Sequence, residues 1–239
     1  KLVWNSNKLY VTGNVTNLVS NQDIYVTSLN ASNGSVNWSQ TLNGTASGAD
    51  QSLDIKLYGN DLLICGGMTN IGTGQDYFFS KFNSANGNVS FTKIYNAFGG
   101  NDFATSLVAD ASNKYAVVGL AQNGSNYEYH TVYFLTNGNQ SWINKHITNS
   151  SVTSVKPKIA TDVIASHFYV SGIKQNATLD GGLYQITPTG NETWSDYHDC
   201  TIGFDNAYVD MAIDNMARIY VAGFNEIAPI VLSISMISY

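Results

Sequence analysis

A short strand that ends in glycine recurs five times along the chain at nearly constant spacing. The copies read KLYVTG, LLICGG, YAVVGL, FYVSGI and IYVAGF, and their glycines are Gly13, Gly66, Gly119, Gly172 and Gly223. Consecutive glycines lie 53, 53, 53 and 51 residues apart. A period of this length indicates a repeat architecture, and it constrains the fold more than any local pattern does.

Two further markers keep the same phase. A turn glycine is followed four residues later by a large aromatic residue, in the pairs Gly34/Trp38, Gly87/Phe91, Gly138/Trp142 and Gly190/Trp194. Acidic residues precede apolar stretches that end in Asp, as in Asp102–Asp110 and Asp205–Asp214. Each repeat contains four strand-like segments separated by turns rich in Gly, Asn, Ser and Thr, without a helical period. In the third repeat the predicted strands are Ala104–Asp110, Lys114–Leu120, Tyr129–Leu135 and Gln140–His146.

These patterns predict an all-β fold, a β-propeller of four-stranded antiparallel blades. We expect about five blades, four complete and a partial fifth, in a single domain over residues 1–239. The units are roughly 1–47, 48–100, 101–152, 153–203 and 204–239. Inner strands such as YAVVGL and IYVAGF should be buried on both faces between neighbouring blades. The recurring aromatic residues are interpreted as blade-to-blade packing, with sugar stacking as the alternative.

The segments DYFFSKFN (Asp76–Asn83) and GGNDFATSLVAD (Gly99–Asp110) resemble the SBBP-type β-propeller repeat over essentially the whole chain. NASNGSVNW (Asn30–Trp38) also resembles the turn of PQQ-type propeller repeats. Both resemblances imply a propeller and neither implies a fixed catalytic residue. The chain departs from the pattern at Phe91, where Trp is expected, and at Val155, near the place where Asp102 and Asp205 stand in their repeats.

The repeat count leaves two alternatives for the ends of the chain. The segment KLVWNS at the start occupies a first-strand position, so it does not supply the fourth strand that the last unit lacks. Either the chain is a processed piece of a longer propeller, or the ring is open. An incomplete blade has an unpaired strand edge, which can recruit a strand from another chain and, between identical subunits, build filaments.

Composition argues against two classes of partner. The net charge is −6, only 12% of residues are charged, and Arg218 is the single arginine. The chain therefore lacks the basic surface that nucleic acids or anionic lipids require. Its longest apolar run, IAPIVLSISMISY at 227–239, is short and broken by Pro and Ser, so we predict no membrane insertion.

The strongest motif is the N-glycosylation sequon, which occurs roughly twice as often as random placement of these residues gives. The candidate asparagines are Asn14, Asn30, Asn33, Asn37, Asn43, Asn88, Asn123, Asn139, Asn149, Asn176 and Asn191. Asn88, Asn139 and Asn191 follow a turn glycine, and Asn14, Asn123 and Asn176 are expected in the loop after the second strand. Such positions would carry covalent N-linked glycans outward. The alternative is that Asn, Ser and Thr are simply good turn formers.

No catalytic, cofactor or metal motif is found, and we expect no cofactor and no enzymatic activity. The four histidines, His130, His146, His167 and His198, are scattered without metal-ligand spacing. Asp50, Asp102 and Asp205 either bind a cation together or hydrogen-bond in turns. Cys65 and Cys200 either form a disulfide or are two buried thiols.

Three functional hypotheses remain. The first is an N-glycosylated structural protein outside the cell or on its surface, a subunit of a surface layer, sheath or filament that associates with itself or with other extracellular proteins or glycans. The second is a binding module, an adhesin or lectin that uses the propeller loops. The third is a secreted quinone-dependent dehydrogenase, suggested by the PQQ-like turn.

Overall fold

The computed structural model describes residues 1–16, 22–162, 167–175, 178–198, 205–226 and 232–238, with the backbone alone for 225–226 and 232–238. Within these ranges every regular element is a β-strand, and no helix is present. Asn176 and Cys200 lie outside the described residues.

The strands form five antiparallel sheets of consecutive strands. The first contains β1 (Leu2–Asn5), β2 (Lys8–Val15), β3 (Asp23–Asn30) and β4 (Val36–Leu42). The second contains β5 (Gln51–Tyr58), β6 (Asp61–Asn70), β7 (Gly74–Asn83) and β8 (Val89–Tyr95). The third contains β9 (Phe103–Ala109), β10 (Tyr115–Asn123), β11 (Asn126–Phe134) and β12 (Gln140–Ser150). The fourth contains β13 (Lys158–Thr161), β14 (Phe168–Gln175), β15 (Leu179–Ile186) and β16 (Glu192–His198). The fifth contains β17 (Asn206–Ile213), β18 (Ile219–Glu226) and β19 (Leu232–Ser238).

Four four-stranded sheets and one three-stranded sheet confirm the predicted fold class, a β-propeller with four complete blades and a partial fifth. The start of the chain takes a first-strand position as expected, since β1 pairs with β2. The chain separates into two compact units, Lys1–Leu107 and Val108–Tyr239. The single domain over residues 1–239 stays a prediction.

The turns between third and fourth strands have the geometry that the Asn-Gly motifs predict. Gly34, Gly87, Gly138 and Gly190 have φ angles of 73°, 76°, 79° and 91°. Only glycine adopts this left-handed region without a Cβ penalty, and the pairing register shifts directly before each turn. The turn glycine is therefore required by the backbone.

Two inner strands in the middle of the chain are buried on both faces, as predicted. Residues Tyr115–Ala121 of β10 are all buried, as are Leu62–Met68 of β6. In the first unit, Ile24 and Val26 of the first sheet pack with Leu62, Ile64 and Phe78 of the second. Strands covered on both faces are apolar at every position instead of alternating.

The same prediction is wrong for IYVAGF in β18. Ile219 and Val221 are buried, but Tyr220 and Ala222, which alternate with them along the strand, are only partly buried. The buried face packs on Tyr169 and Leu183 of the fourth sheet. The segment IYVAGF is apolar on both faces because it repeats the pattern of the other second strands. In this sheet, however, one of the two faces is half exposed.

Candidate functional site

Most candidate glycosylation sites lie on the surface. Asn30 is half-buried, and Asn176 lies outside the described residues. The other nine are exposed: Asn14, Asn33, Asn37, Asn43, Asn88, Asn123, Asn139, Asn149 and Asn191. An oligosaccharide attached to an exposed amide extends into water without displacing core. Glycosylation of any of these residues stays a prediction.

The sequons occupy two structural settings. Asn88, Asn139 and Asn191 stand directly after the left-handed turn glycines, at the tips of the third hairpin of their sheets. Asn14 and Asn123 were expected in loops, but they lie in the last residues of β2 and β10. A strand end is still exposed there, because both side chains project beyond the buried part of the sheet.

The recurring tryptophans pack one repeat on the next. In the first unit, a Cβ on Gly87 would lie 2.5 Å from Trp38, and the Trp38 Nε1–H donates to the Ser84 carbonyl at 3.1 Å. In the second unit, Trp142 lies against Gly190 in the same way and donates to the Pro188 carbonyl at 3.0 Å. The glycine and the aromatic residue of successive repeats are thus partners, which supports packing over sugar stacking.

The recurring aspartates are bonded to backbone amides. The Asp50 carboxylate accepts from the Gly44 N–H at 2.7 Å and the Thr69 N–H at 2.6 Å. Asp102 accepts from the Ala97 N–H at 2.7 Å and Asp205 from the Leu179 N–H at 3.0 Å. These bonds hold the loops that precede β5, β9 and β17, so each of the three aspartates makes the hydrogen bonds expected of a turn residue. Among the described residues, no group of three or more His, Cys, Asp or Glu side chains is arranged to hold a metal ion.

Three of the four histidines lie beside carboxylates, which the sequence did not indicate. His130 Nε2 is 2.9 Å from Glu128 Oε2, and His167 Nδ1 is 3.7 Å from Asp162. His146 Nδ1 is 2.9 Å from Glu192 Oε2. The signal that could have found the first pair is the i, i+2 spacing of Glu128 and His130 in one strand, which puts both on the same face.

His146 also links two sheets. Its Nε2 is 3.1 Å from the Tyr197 hydroxyl, and its ring stacks on Tyr184 with 4.1 Å between centroids. The contacts of His146 with Glu192 and Tyr197 join the fourth strands of two successive sheets. Their spacing follows the sequence repeat, since Trp38–Ser84, Trp142–Pro188 and His146–Glu192 are each separated by 46 residues. We interpret the histidine as part of this packing.

Cys65 is fully buried in β6. Because Cys200 lies outside the described residues, both alternatives for the pair stay open.

Two sheet faces are open. Leu2, Trp4 and Val36 in the first sheet are 64%, 65% and 60% exposed. On the fifth sheet, Asp210, Ala212, Tyr220 and Ala222 line a shallow pocket with Met211 and Val221. Exposed apolar surface of this kind marks interaction sites in many soluble proteins.

No known protein family and no curated protein matches the sequence. Among solved structures, the chain is similar to a subtype N10 neuraminidase-like protein of A/little yellow-shouldered bat/Guatemala/060/2010, with a TM-score of 0.61 and 11% identity over 99% of this chain and 76% of that one. It is similar to quinohemoprotein alcohol dehydrogenase from Comamonas testosteroni, with a TM-score of 0.56 and 12% identity over 94% of this chain and 43% of that one. It is also similar to a protein of unknown function from Bacteroides caccae, with a TM-score of 0.54 and 11% identity over 90% of this chain and 64% of that one.

The chain thus spans less than two thirds of the length of the last two proteins. Neighbours of this kind are β-propeller proteins, and at these identities the likeness shows the fold alone. No helix in the described ranges is long and apolar enough to cross a membrane.

Proposed function

We propose that this chain is a non-enzymatic, heavily N-glycosylated protein of the cell surface or extracellular space, with a structural role. The observation that supports it most is the exposure of nine sequon asparagines, three of them at equivalent hairpin tips. Composition agrees with this role. Only 12% of residues are charged, and glycans would hydrate a surface that has few charges of its own.

We further infer that the repeat is of the SBBP type, on the motifs DYFFSKFN and GGNDFATSLVAD. The structure gives these motifs roles that suit a scaffold. Asp76, near the start of β7, accepts from Asn70 Nδ2 and Thr73 Oγ1, and Asp102 holds the loop before β9 through the Ala97 N–H.

We infer that the subunits associate through a strand edge and an open sheet face. In the described residues β19 pairs with β18, and no described strand pairs with its other edge. An edge of this kind can accept a strand from another chain. The open face of the first sheet presents Leu2, Trp4 and Val36. The edge would pair with a strand of another chain, and the open face would pack on a further sheet of the same repeat, as equivalent faces inside the chain do.

Removal of residues 230–239 tests the contribution of the strand edge. Electron microscopy and light scattering of the full chain should show fibres or layers that grow with concentration, and the shortened chain should stay dispersed. Retained assembly in the shortened chain would exclude the edge of β19. Turnover of a substrate with a quinone acceptor would contradict the non-enzymatic role.

The second candidate function, a binding module such as an adhesin or lectin, is favoured by one observation. The third sheet has a polar pocket at the tip of the β10–β11 hairpin, beside Glu128. A monomeric chain that retains a sugar or a protein on an affinity column would support this function over the structural one.

A further inference from the structure

A polar pocket of about 260 Å³ lies in the second unit, where the β10–β11 hairpin meets the end of β12. It is lined by Asn123, Asn126, Tyr127, Glu128, Ile147 and Asn149. The volume is near the lower end for ligand pockets, which suits a single small ring.

The pocket forms where the third sheet departs from the repeat. β12 has 11 residues, whereas β4, β8 and β16 have seven. Its extra length contains a bulge, since Tyr127 pairs with Ser150 but Glu128 pairs with Ile147. Asn149, inside the bulge, has a left-handed φ of 58°. Bulges re-aim side chains and are frequent beside binding sites.

Glu128 is the third sheet's version of an acidic residue that every complete sheet has. Asp23, Asp76, Glu128 and Asp180 each pair with the residue two positions after the strand glycine. At the other three positions a loop aspartate follows: Asp50, Asp102 or Asp205. Here Val155 stands near that place instead. The third sheet therefore has the strand acid, Glu128, without the loop aspartate that follows it in the other complete sheets.

Two side chains hold the Glu128 carboxylate in place. Asn123 Nδ2 donates to Oε1 at 2.8 Å, and His130 Nε2 lies 2.9 Å from Oε2. Partial burial works against ionisation, but the hydrogen bonds from His130 and Asn123 outweigh it and lower the pKa of Glu128. Glu128 is thus an ionised acceptor with a fixed orientation and spare lone pairs.

The chemistry of the lining points to a neutral polyhydroxylated ligand. The side-chain amides of Asn126 and Asn149 in the lining each have donors and an acceptor, as a sugar hydroxyl requires, and the Glu128 carboxylate can accept from a hydroxyl. Ile147, 59% exposed, offers an apolar contact for C–H groups. The lining contains no Lys or Arg to select an anion.

We propose that this pocket binds one neutral sugar unit of a glycan, with Glu128 and Asn126 as the recognising residues. The sugar has two possible sources. Asn123 and Asn149 in the lining are themselves sequon residues, so the unit could belong to the protein's own N-linked glycan, or it could belong to a glycan of another molecule.

The first test uses the full chain produced without glycosylation, titrated with N-acetylglucosamine, glucose, galactose and mannose. Amide NMR signals of residues 123–128 and 147–149 should shift with at least one sugar. Glu128→Gln should weaken binding about tenfold, since it removes a charge-assisted hydrogen bond. Asn126→Ala, on the exposed hairpin, should weaken it too. Asn60→Ala, at the tip of the β5–β6 hairpin, is the matched control and should bind as the wild type does.

Absence of binding by all four sugars, or equal binding by the wild type and both pocket variants, would overturn the proposal. The chain used in this first test is produced without glycans, so the result does not depend on the structural role proposed above. The second test repeats the titration on glycosylated protein. Occluded binding that returns in Ser125→Ala or Ser151→Ala, which remove the sequons of Asn123 and Asn149 without changing the lining, identifies the protein's own glycan as the ligand, and unchanged binding identifies an external one.

Discussion

At the residue scale, single aromatic side chains hold successive repeats together. Trp142 stacks on Tyr133 with 4.7 Å between ring centroids and meets Phe168 edge to face at 5.9 Å. Its ring also covers Gly190 of the next hairpin, where any larger residue would collide with it. Trp194 has the same place in the fourth sheet but is 36% exposed. The repeat thus uses one residue type in two environments.

Replacement of these two residues tests the packing role. Trp142→Ala should lower the free energy of unfolding by up to about 3 kcal/mol, since it removes the ring contacts with Tyr133 and Phe168. Trp194→Ala should cost far less, because its ring is already partly in water. Denaturant unfolding followed by fluorescence and circular dichroism measures both. Equal losses would contradict the assigned contacts.

His130 should make stability depend on pH. Burial lowers its pKa, with Glu128 offsetting part of the effect. The unfolded chain therefore takes up this proton at about pH 6.5, and the folded chain only at lower pH. Stability should fall on acidification below about pH 6.5, by up to about 1.4 kcal/mol per pH unit.

The His130→Gln variant, which keeps a donor for Glu128, should lack this part of the slope. Unfolding curves at a series of pH values measure the difference between the two proteins. Parallel pH profiles for the wild type and the variant would contradict a neutral buried imidazole. Asn60→Ala is the control and should keep the wild-type slope.

At the element scale, the recurring glycine of the second strand lies against the first strand in two of the sheets. A Cβ on Gly66 would lie 1.9 Å from the Gln51 carbonyl oxygen, and one on Gly223 would lie 1.9 Å from that of Ala207. In both sheets the pairing shifts by one residue near this contact. Gly13 of the first sheet has open space around it instead. The repeat keeps the glycine there without the contact that requires it elsewhere.

Alanine substitutions should separate these environments. Gly66→Ala should destabilise the protein by about 2–3 kcal/mol, because the carbonyl of Gln51 and the ring of Phe78 both have to move. Gly13→Ala should change stability by less than about 0.5 kcal/mol. Thermal unfolding of the two variants gives the comparison. A loss at Gly13 as large as that at Gly66 would contradict the account of the glycine repeat.

The elements were predictable from sequence because the repeat reports them five times over. Predicted strands such as Gln140–His146 begin where β12 begins, and the turn glycines have the expected φ. The extension of β12 to Ser150 was not predictable, since its bulge depends on pairing with Tyr127 and has no counterpart in the first two sheets. The pocket beside Glu128 was missed for the same reason.

At the scale of the whole molecule, the repeat indicates where partners can bind. An internal blade has both faces covered, so the residues of the repeat are apolar on both faces even in the first and fifth sheets. This leaves Leu2 and Trp4 in water, and no signal in the sequence distinguishes them from residues that a neighbouring sheet covers. Which face is open could be learned only from the structure.

A charged residue on the open face should weaken self-association. Trp4→Lys should raise the dissociation constant at least about tenfold, because the lysine would be buried without a partner. Ile71→Lys is the matched control: Ile71 is 76% exposed at a hairpin tip and away from the sheet face. Sedimentation velocity over a range of concentrations measures both. An equal effect of the two variants would show that the face of the first sheet is not an interface.

Peptide mapping by mass spectrometry of the protein isolated from its natural source shows whether the hairpin tips carry glycans. We expect oligosaccharide on the peptides that contain Asn88, Asn139 and Asn191, which share one exposed hairpin position in three sheets. If all the sequon peptides of the native protein have the mass of the bare sequence, the proposed glycosylated scaffold is contradicted.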